Sequence, residues 1–447
     1  MNYKVCFINP TTKLIINANE PHGLLSLATY LEKSGIQVKI IDEIAGDNVL
    51  EEISAFKPDL VGFTAMTCTY PRAVEILKKI KPNGYKTVIG GVHASALPEQ
   101  VLQDGFDMVV VGEGEKILLE IITDGRQKGI FRATSEQCLK NSELLVTDRK
   151  FIDEDFYCRA LYRGITAYSV RTATAYTSRG CPYRCIFCHN FSNDTPMRFL
   201  SPELIFEELQ SLIHKYKIKL IGYVEDNFFA NRDRVLKFCE LILKNKIVIR
   251  WTAIAHPDSL DDELLKVASR AGCVRVSIGF ESGSQRILDI LGKKTNLEKN
   301  MHSIDLCRRY KINITALFLL GIPTETIEDI RLTWNFIKKW FIKGQHPDSV
   351  FVSILIQFPG TPVWELCQKA GCIPKDIDFS RFYISKIPVR IPGTLNPEQL
   401  KRTQRAMMIK LYLLNWKSTK RFLFQFINNP IYMSRMAWRR VYVSCYQ

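Results

Sequence analysis

Short apolar runs recur through the first quarter of the chain, each bounded by turn residues and separated from the next by a segment with helical periodicity. The runs predict strands, and the segments between them predict amphipathic helices. The predicted strands are residues 4–9, 38–42, 59–64, 87–91 and 108–112, and helices are predicted at residues 24–34 and 71–80. This alternation indicates a doubly wound, Rossmann-like α/β sheet, which binds ligands at the carboxyl ends of its parallel strands.

The alternation resumes at residue 173, after a stretch of weaker periodicity. The predicted strands are residues 173–177, 220–225, 250–255, 275–280, 315–320 and 349–357, with helices such as 202–216 and 326–340 between them. Six βα units are fewer than the eight of a closed barrel, so we predict a partial (β/α)6 barrel. The expected division is residues 1–135 for the doubly wound domain, 136–172 for a linker, 173–375 for the barrel and 376–447 for a helical C-terminal region.

Three cysteines follow the first barrel strand with the spacing C-x3-C-x2-C: Cys181, Cys185 and Cys188. Three thiolates this close can hold three irons of a [4Fe-4S] cluster, which normally takes four cysteines, and leave the fourth iron open to a small molecule. A structural zinc knuckle is the alternative, but structural zinc takes four ligands. The nearest further donor, His189, directly follows Cys188, and adjacent side chains cannot easily both reach one tetrahedral centre. The other cysteines of the 13 are scattered, which is typical of a reduced intracellular protein.

This cysteine run, with Phe187 before its last cysteine, resembles the radical S-adenosylmethionine (radical SAM) enzymes. The resemblance implies that the open iron chelates S-adenosylmethionine and that one electron from the cluster releases a 5′-deoxyadenosyl radical. It also implies that the barrel is the partial barrel of that family and that Phe187 packs near the adenine. Ordinary packing of the cluster loop is the alternative role for Phe187.

The resemblance extends to three strand ends of the barrel. Glu225 and Asp226 are expected to contact the amino group of S-adenosylmethionine, because buried carboxylates need a cationic partner; a solvated turn is the alternative. Ser277 and Glu281 lie in a segment that resembles the ribose and carboxylate contact region, although Glu281 could instead cap the next helix. The turn that begins with Gly321 and Ile322 is expected to approach the nucleoside and pack on the adenine, though it would also serve as a helix start.

The first domain resembles the cobalamin-binding domain that precedes the barrel in many radical SAM enzymes. The resemblance rests on the small residues at the strand ends, and implies that Thr64, Gly90 and Gly91 line a channel for the nucleotide tail of cobalamin. The cobalt-ligating pattern Asp-x-His-x-x-Gly is absent. His22 occupies a comparable loop with other neighbours, so we expect it near the cofactor but expect cobalt without a protein ligand, and we expect His93 to be a further loop contact. The alternative is a Rossmann-like domain that only docks on the barrel.

The net charge of +15 is concentrated in residues 401–447, which contain ten lysines and arginines and no acidic residue and so leave +5 for the rest of the chain. Aromatic residues alternate with these cations. Such a tail could lie at a membrane interface or bind RNA, although packing across the domains with the cations in water has the greater weight. We expect no signal peptide and no membrane-spanning segment, and hence a cytoplasmic protein. Peripheral contact with the inner membrane face is the alternative placement.

The resemblance implies a cobalamin-dependent enzyme that methylates an unactivated carbon of a small-molecule or lipid-like substrate, supplied with electrons by a donor such as flavodoxin or ferredoxin. An anaerobic oxidative cyclase, in which cobalamin delivers no methyl group, is the alternative within this class. An RNA methylthiotransferase would carry three further cluster cysteines in its first domain, where this chain has only Cys6 and Cys68. A non-catalytic corrinoid or iron–sulfur protein is the remaining alternative.

Overall fold

A computed structural model describes residues 3–11, 19–159, 170–192, 196–342, 348–382 and 389–414. The first sheet is parallel, with the order β2-β1-β3-β4-β5-β6. Its strands are β1 (Lys4–Asn9), β2 (Gln37–Asp42), β3 (Leu60–Thr64), β4 (Thr87–Gly90), β5 (Met108–Val111) and β6 (Gly129–Arg132). The helices around it are α1 (His22–Lys33), α2 (Val49–Phe56), α3 (Tyr70–Ile80), α4 (Val92–Ala96), α5 (Pro98–Gln103) and α6 (Glu115–Thr123).

Alternate residues of each strand enter two different hydrophobic cores. In β1, Val5 and Phe7 pack with α1 and α6, whereas Cys6 and Ile8 pack on the opposite face with α2 and α3. Because side chains alternate across a strand, a strand that is apolar at successive positions is buried on both faces. This confirms the doubly wound arrangement that the continuous apolar runs predict.

The second sheet is also parallel, with the order β14-β13-β12-β11-β10-β7. Its strands are β7 (Thr172–Ala175), β10 (Leu220–Tyr223), β11 (Arg250–Ala255), β12 (Cys273–Glu281), β13 (Asn313–Leu320) and β14 (Ser349–Ile354), and the short strands β8 (Ser178–Arg179) and β9 (Arg198–Phe199) form a separate antiparallel pair. The helices of this half are α7 (Glu154–Arg159), α8 (Pro202–Tyr216), α9 (Arg232–Lys244), α10 (Asp262–Arg270), α11 (Gln285–Ile290), α12 (Leu297–Arg309), α13 (Ile327–Ile337), α14 (Pro362–Lys369) and α15 (Pro397–Leu414).

The predicted elements agree with the structure to within a few residues, and helix α8 agrees residue for residue. Strand β6 was not predicted, because this four-residue strand lies at the edge of the sheet and is only partly buried. The predicted helix at residues 326–340 ends as an α-helix at Ile337 and continues as one π-helical segment, Lys338–Ile342.

Helix α15 packs against β14, and its Leu400, Met407 and Leu411 are buried in the hydrophobic core of the second sheet. The first part of the basic C-terminal region therefore belongs to the folded core. The predicted membrane or RNA contacts of the tail beyond residue 414 fall outside the described residues. None of the helices described is both long and apolar enough to cross a membrane.

Candidate active site between the two sheets

The cluster loop runs from Gly180 to His189 after β7 and β8, and it is anchored at its middle. Ile186 donates from its backbone nitrogen to the Leu291 carbonyl at 3.0 Å, and Cys188 donates to the Cys185 carbonyl at 3.0 Å. Gly180 has φ +85°, in the left-handed region that favours glycine. The loop that carries the three cysteines therefore has a defined backbone conformation.

All three loop cysteines are free thiols, with Cys185 buried and the other two half-buried. Burial raises the pKa of Cys185 to about 12 and that of Cys188 to about 11, so a bound metal must supply the energy of deprotonation. Within the described ranges, no three His, Cys, Asp or Glu side chains are placed to hold a single metal ion. Three thiolates can hold three corners of a cubane cluster, whereas a structural zinc ion takes four ligands.

Asp226 lies beside this loop, whereas Glu225 does not face it. Asn190 donates to the Asp226 carboxylate at 2.6 Å. Asp226 is exposed at its surface. Partial desolvation by the surrounding groups nevertheless raises the pKa of its carboxyl, and the charge of Glu225 raises it further. Asp226 is thus placed to meet a cationic ligand next to the cysteines.

The expectation for Glu225 is corrected by the structure. Its carboxylate is fully buried and accepts hydrogen bonds from the Thr177 backbone nitrogen at 2.7 Å and from the guanidinium of Arg234 at 3.1 Å. The cation that offsets the cost of burying Glu225 is therefore an arginine of α9, not a ligand. Its role is to fix the start of the cluster loop to the end of β10.

Glu281 ends β12 with φ +60°, and its carboxylate accepts a hydrogen bond from Lys293 Nζ at 2.6 Å. It does not cap the next helix. A Cβ atom on Gly279 would lie 2.2 Å from Glu281 Oε1 and 2.7 Å from Lys293 Nζ, so this ion pair lies over the glycine inside the barrel. Ser277 precedes Gly279 by two positions and is on the same side of the strand.

Phe187 and Ile322, predicted as adenine contacts, belong to one apolar cluster beside the loop. Ile322 is fully buried there, against residues of α11 and α14 among others. Gly321 has φ +79°, and a Cβ on this residue would lie 3.0 Å from Leu400 Cδ1. The packing of α15 therefore favours glycine at this position, and the approach of its backbone to the nucleoside stays a prediction.

A cavity of about 400 Å³ separates the carboxyl edge of the first sheet from the cluster loop. The predicted cobalamin contacts Thr64, Gly90, Gly91 and His22 line one side of it, and Tyr176, Gly180 and Asn190 line the other. A Cβ on Gly91, which has φ +95°, would lie 3.0 Å from both Ala65 O and Thr64 Oγ1. The strand ends therefore form a cradle that a side chain would fill, as a channel for an extended ligand requires.

The expectation that His93 is a loop contact near the cofactor is corrected by the structure. It does not reach the cavity from a loop but is the second residue of α4, fully buried, with its ring 4.1 Å from the ring of Tyr70 and 4.7 Å from that of Phe379. Desolvation lowers its pKa to about 3, so the ring is neutral. It packs the first domain against the C-terminal region.

Ionic contacts that the sequence did not indicate join the two halves at the cavity. Arg179, two residues before Cys181, donates to Glu113 at 3.0 Å and to Glu115 at 2.5 Å. Arg198 binds Glu113 from the other strand of the β8–β9 pair, at 2.5 Å. The partners are 64 to 85 residues apart in the chain, a distance over which no local pattern reveals pairing.

A second buried charge cluster surrounds Arg149. Its guanidinium lies 3.3 Å from Glu20, 3.0 Å from Glu154 and 2.8 Å from Glu208, and it donates to the Thr174 carbonyl at 2.7 Å. Desolvation raises the pKa of Glu154 to about 7, because one arginine cannot neutralise three buried carboxylates. The cluster ties the segment before α1 to β7, α7 and α8.

Comparisons with known proteins agree with this architecture. The model for the radical SAM superfamily matches residues 176–337, and that for the B12 binding domain matches residues 17–122. The chain is 29% identical to the "Uncharacterized methyltransferase PH0819" of Pyrococcus horikoshii, over 92% of each protein. It is 27% identical to the anaerobic magnesium-protoporphyrin IX monomethyl ester cyclase of Rubrivivax gelatinosus, over 85% of this chain and 71% of the cyclase.

The fold is that of the radical S-adenosylmethionine methyltransferase TsrM from Kitasatospora setae, with a TM-score of 0.69 and 20% identity. That alignment covers 90% of this chain and 85% of TsrM. The matched B12 binding domain contains the cavity-lining strand ends, and the matched radical SAM region contains the three loop cysteines. The chain belongs to the radical S-adenosylmethionine enzymes that carry an N-terminal cobalamin-binding domain.

Proposed function

We propose that this enzyme transfers a methyl group from S-adenosylmethionine to an unactivated carbon of a small-molecule or lipid-like substrate, with cobalamin as the methyl carrier. One observation carries the proposal. The cavity touches the cobalamin-binding strand ends, through Thr64 and Gly90, and the cluster loop, through Gly180 and Asn190. A substrate in this cavity would lie within reach of both cofactors.

When bound, the cluster would supply the electron that cleaves S-adenosylmethionine, and cobalamin would supply the methyl group. The protein's own residues hold and orient these groups. Cys181, Cys185 and Cys188 would hold three irons, and Asp226 would receive the amino group of S-adenosylmethionine. The walls of the cavity exclude water, which protects a carbon radical from side reactions.

The names of the relatives support this proposal. PH0819 is named a methyltransferase, and TsrM is named a methyltransferase with cobalamin and a [4Fe-4S] cluster bound. We propose that residues 1–135 bind cobalamin and that residues 173–375 bind the cluster and S-adenosylmethionine. Residues 136–172 would form the linker between them, and residues 376–447 the C-terminal region. A flavodoxin or ferredoxin as electron donor, and peripheral membrane contact through the basic tail, are further parts of the proposal.

The second candidate is a cyclase-type reaction, which the likeness to the Rubrivivax gelatinosus enzyme favours. The two functions differ in what becomes of S-adenosylmethionine. A methyltransferase forms 5′-deoxyadenosine and S-adenosylhomocysteine, whereas a cyclase needs only the deoxyadenosyl radical.

Anaerobic purification with a cobalamin supply, followed by incubation with S-adenosylmethionine and a strong reductant, separates the candidates. We expect both 5′-deoxyadenosine and S-adenosylhomocysteine, the latter only in cobalamin-loaded enzyme. Deoxyadenosine alone, from enzyme that holds cobalamin, would support the cyclase reaction. Cys185→Ala should abolish deoxyadenosine formation, and Cys307→Ala, which alters another buried thiol, in α12, should retain it.

A further inference from the structure

His22 is the first residue of α1 and part of the cavity wall, at the carboxyl edge of the first sheet. The residue as a whole is half-buried. The ring nitrogen Nε2 lies 2.8 Å from Thr174 Oγ1, a hydroxyl of the first barrel strand. The imidazole therefore lies between the two sheets, and its Nε2 is hydrogen-bonded within the protein.

The hydrogen bonds around Thr174 determine which nitrogen of His22 carries the proton. The Thr174 hydroxyl donates to the Glu20 carboxylate, which also accepts from the Thr174 backbone nitrogen at 2.8 Å and from Arg149. A hydroxyl has one proton to donate, and Glu20 receives it. The hydroxyl must then accept from His22, so Nε2 carries the hydrogen and Nδ1 keeps its lone pair.

The carboxylate at the end of this hydrogen-bond series is buried and paired with a cation. Glu20 and Thr174 are both buried, and Glu20 is 3.3 Å from the arginine that also binds Glu154 and Glu208. A ligating histidine is oriented in this way when its second nitrogen donates to a polar group that a carboxylate holds in turn. The arrangement is that of a supported metal ligand.

We propose that Nδ1 of His22 is an axial ligand of the cobalt of bound cobalamin, with Thr174 and Glu20 as its positioning residues. The inference rests on the proposed function, since it requires that cobalamin occupies the cavity. A neutral imidazole with a free lone pair is a strong ligand for a first-row transition metal.

The geometry replaces the absent Asp-x-His-x-x-Gly pattern with one built across the fold. Glu20 precedes His22 by two positions, as the aspartate precedes the histidine in that pattern, but it reaches the ring through a hydroxyl of β7. Ligation by His22 would therefore depend on the docking of the cobalamin-binding domain against the barrel.

Electron paramagnetic resonance of cobalt(II) tests the assignment directly. The full-length protein is labelled with ¹⁵N-histidine and loaded anaerobically with unlabelled cob(II)alamin. We expect each cobalt hyperfine line to split into a doublet from one ¹⁵N ligand. Bound cobalamin with a triplet, from its own ¹⁴N base, or with no nitrogen splitting would overturn this inference and leave the proposed function intact. Failure to bind cobalamin at all would overturn both.

Variants identify the residue and its support. His22→Ala should lose the doublet completely, and His214→Ala, on the exposed face of α8, should keep it. Thr174→Ser should keep the doublet because the hydroxyl remains, whereas Thr174→Val should lose it in most of the bound cofactor. A doublet that survives His22→Ala would assign the ligand elsewhere, and one unchanged in Thr174→Val would refute the positioning role.

Discussion

Replacing Arg149 with methionine removes the cation that pairs with three buried carboxylates. The side chains of Arg149, Glu20, Glu154 and Glu208 are each 6% exposed or less, so water cannot take over the role of the guanidinium. Removal of one partner from a buried ion pair costs about 3–5 kcal/mol, because the remaining charge is left uncompensated. In domains of 150–250 residues each kcal/mol lowers Tm by roughly 2–4 °C, so we expect a fall on the order of 10 °C.

The loss of stability in Arg149→Met should depend on pH. Without the arginine, the carboxylates bind protons more tightly in the folded chain than in the unfolded chain, so protons are taken up on folding. Stability then falls as pH rises through the raised pKa values. The difference in Tm between wild type and variant should therefore be larger at about pH 8 than at about pH 6.

Thermal melts of the full-length protein at the two pH values measure this effect. Arg232→Met is the matched control, since Arg232 is 44% exposed and binds Asp261 on the surface at 2.9 Å. Exposed pairs contribute about 0–1 kcal/mol, so this variant should melt close to wild type. If Arg149→Met melted within a degree or two of Arg232→Met at both pH values, the argument from buried charge would be wrong.

Two further results are expected. In Glu154→Gln the stability relative to wild type should increase between about pH 5 and pH 8. The pKa of Glu154 is raised from 4.5 to about 7, so the wild type loses stability as pH rises through that window. Denaturant titrations across the range measure the trend, and its absence would show that Glu154 is not the group that binds the proton. Gly91→Ala should lower stability by about 1–3 kcal/mol and reduce the cobalamin retained per chain, measured by absorbance. Gly84→Ala, at φ +77° with open space around its Cβ position, isolates the backbone strain and should leave cobalamin retention unchanged.

Much of the fold could be predicted because its signals are local. The apolar runs that form β1 and β11 were located residue for residue, since a strand buried on both faces is apolar at nearly every position. The cluster loop was equally accessible, because all of its metal-binding chemistry lies within a few consecutive residues. Strand β6 was missed for the converse reason: an edge strand that is only partly buried needs few apolar residues.

The partners of the buried charges were decided by the tertiary structure alone. Glu225 could be identified as a carboxylate in need of a cation, but only the packing of α9 shows that Arg234 supplies it. His22 lacks the neighbours of the cobalt-ligating pattern, yet the fold brings the hydroxyl of Thr174 to its ring. Thr174 in turn binds Glu20, from which it is separated by 154 residues of sequence. Periodicity and spacing describe what a segment requires of its surroundings, and the docking of distant segments determines which group meets that requirement.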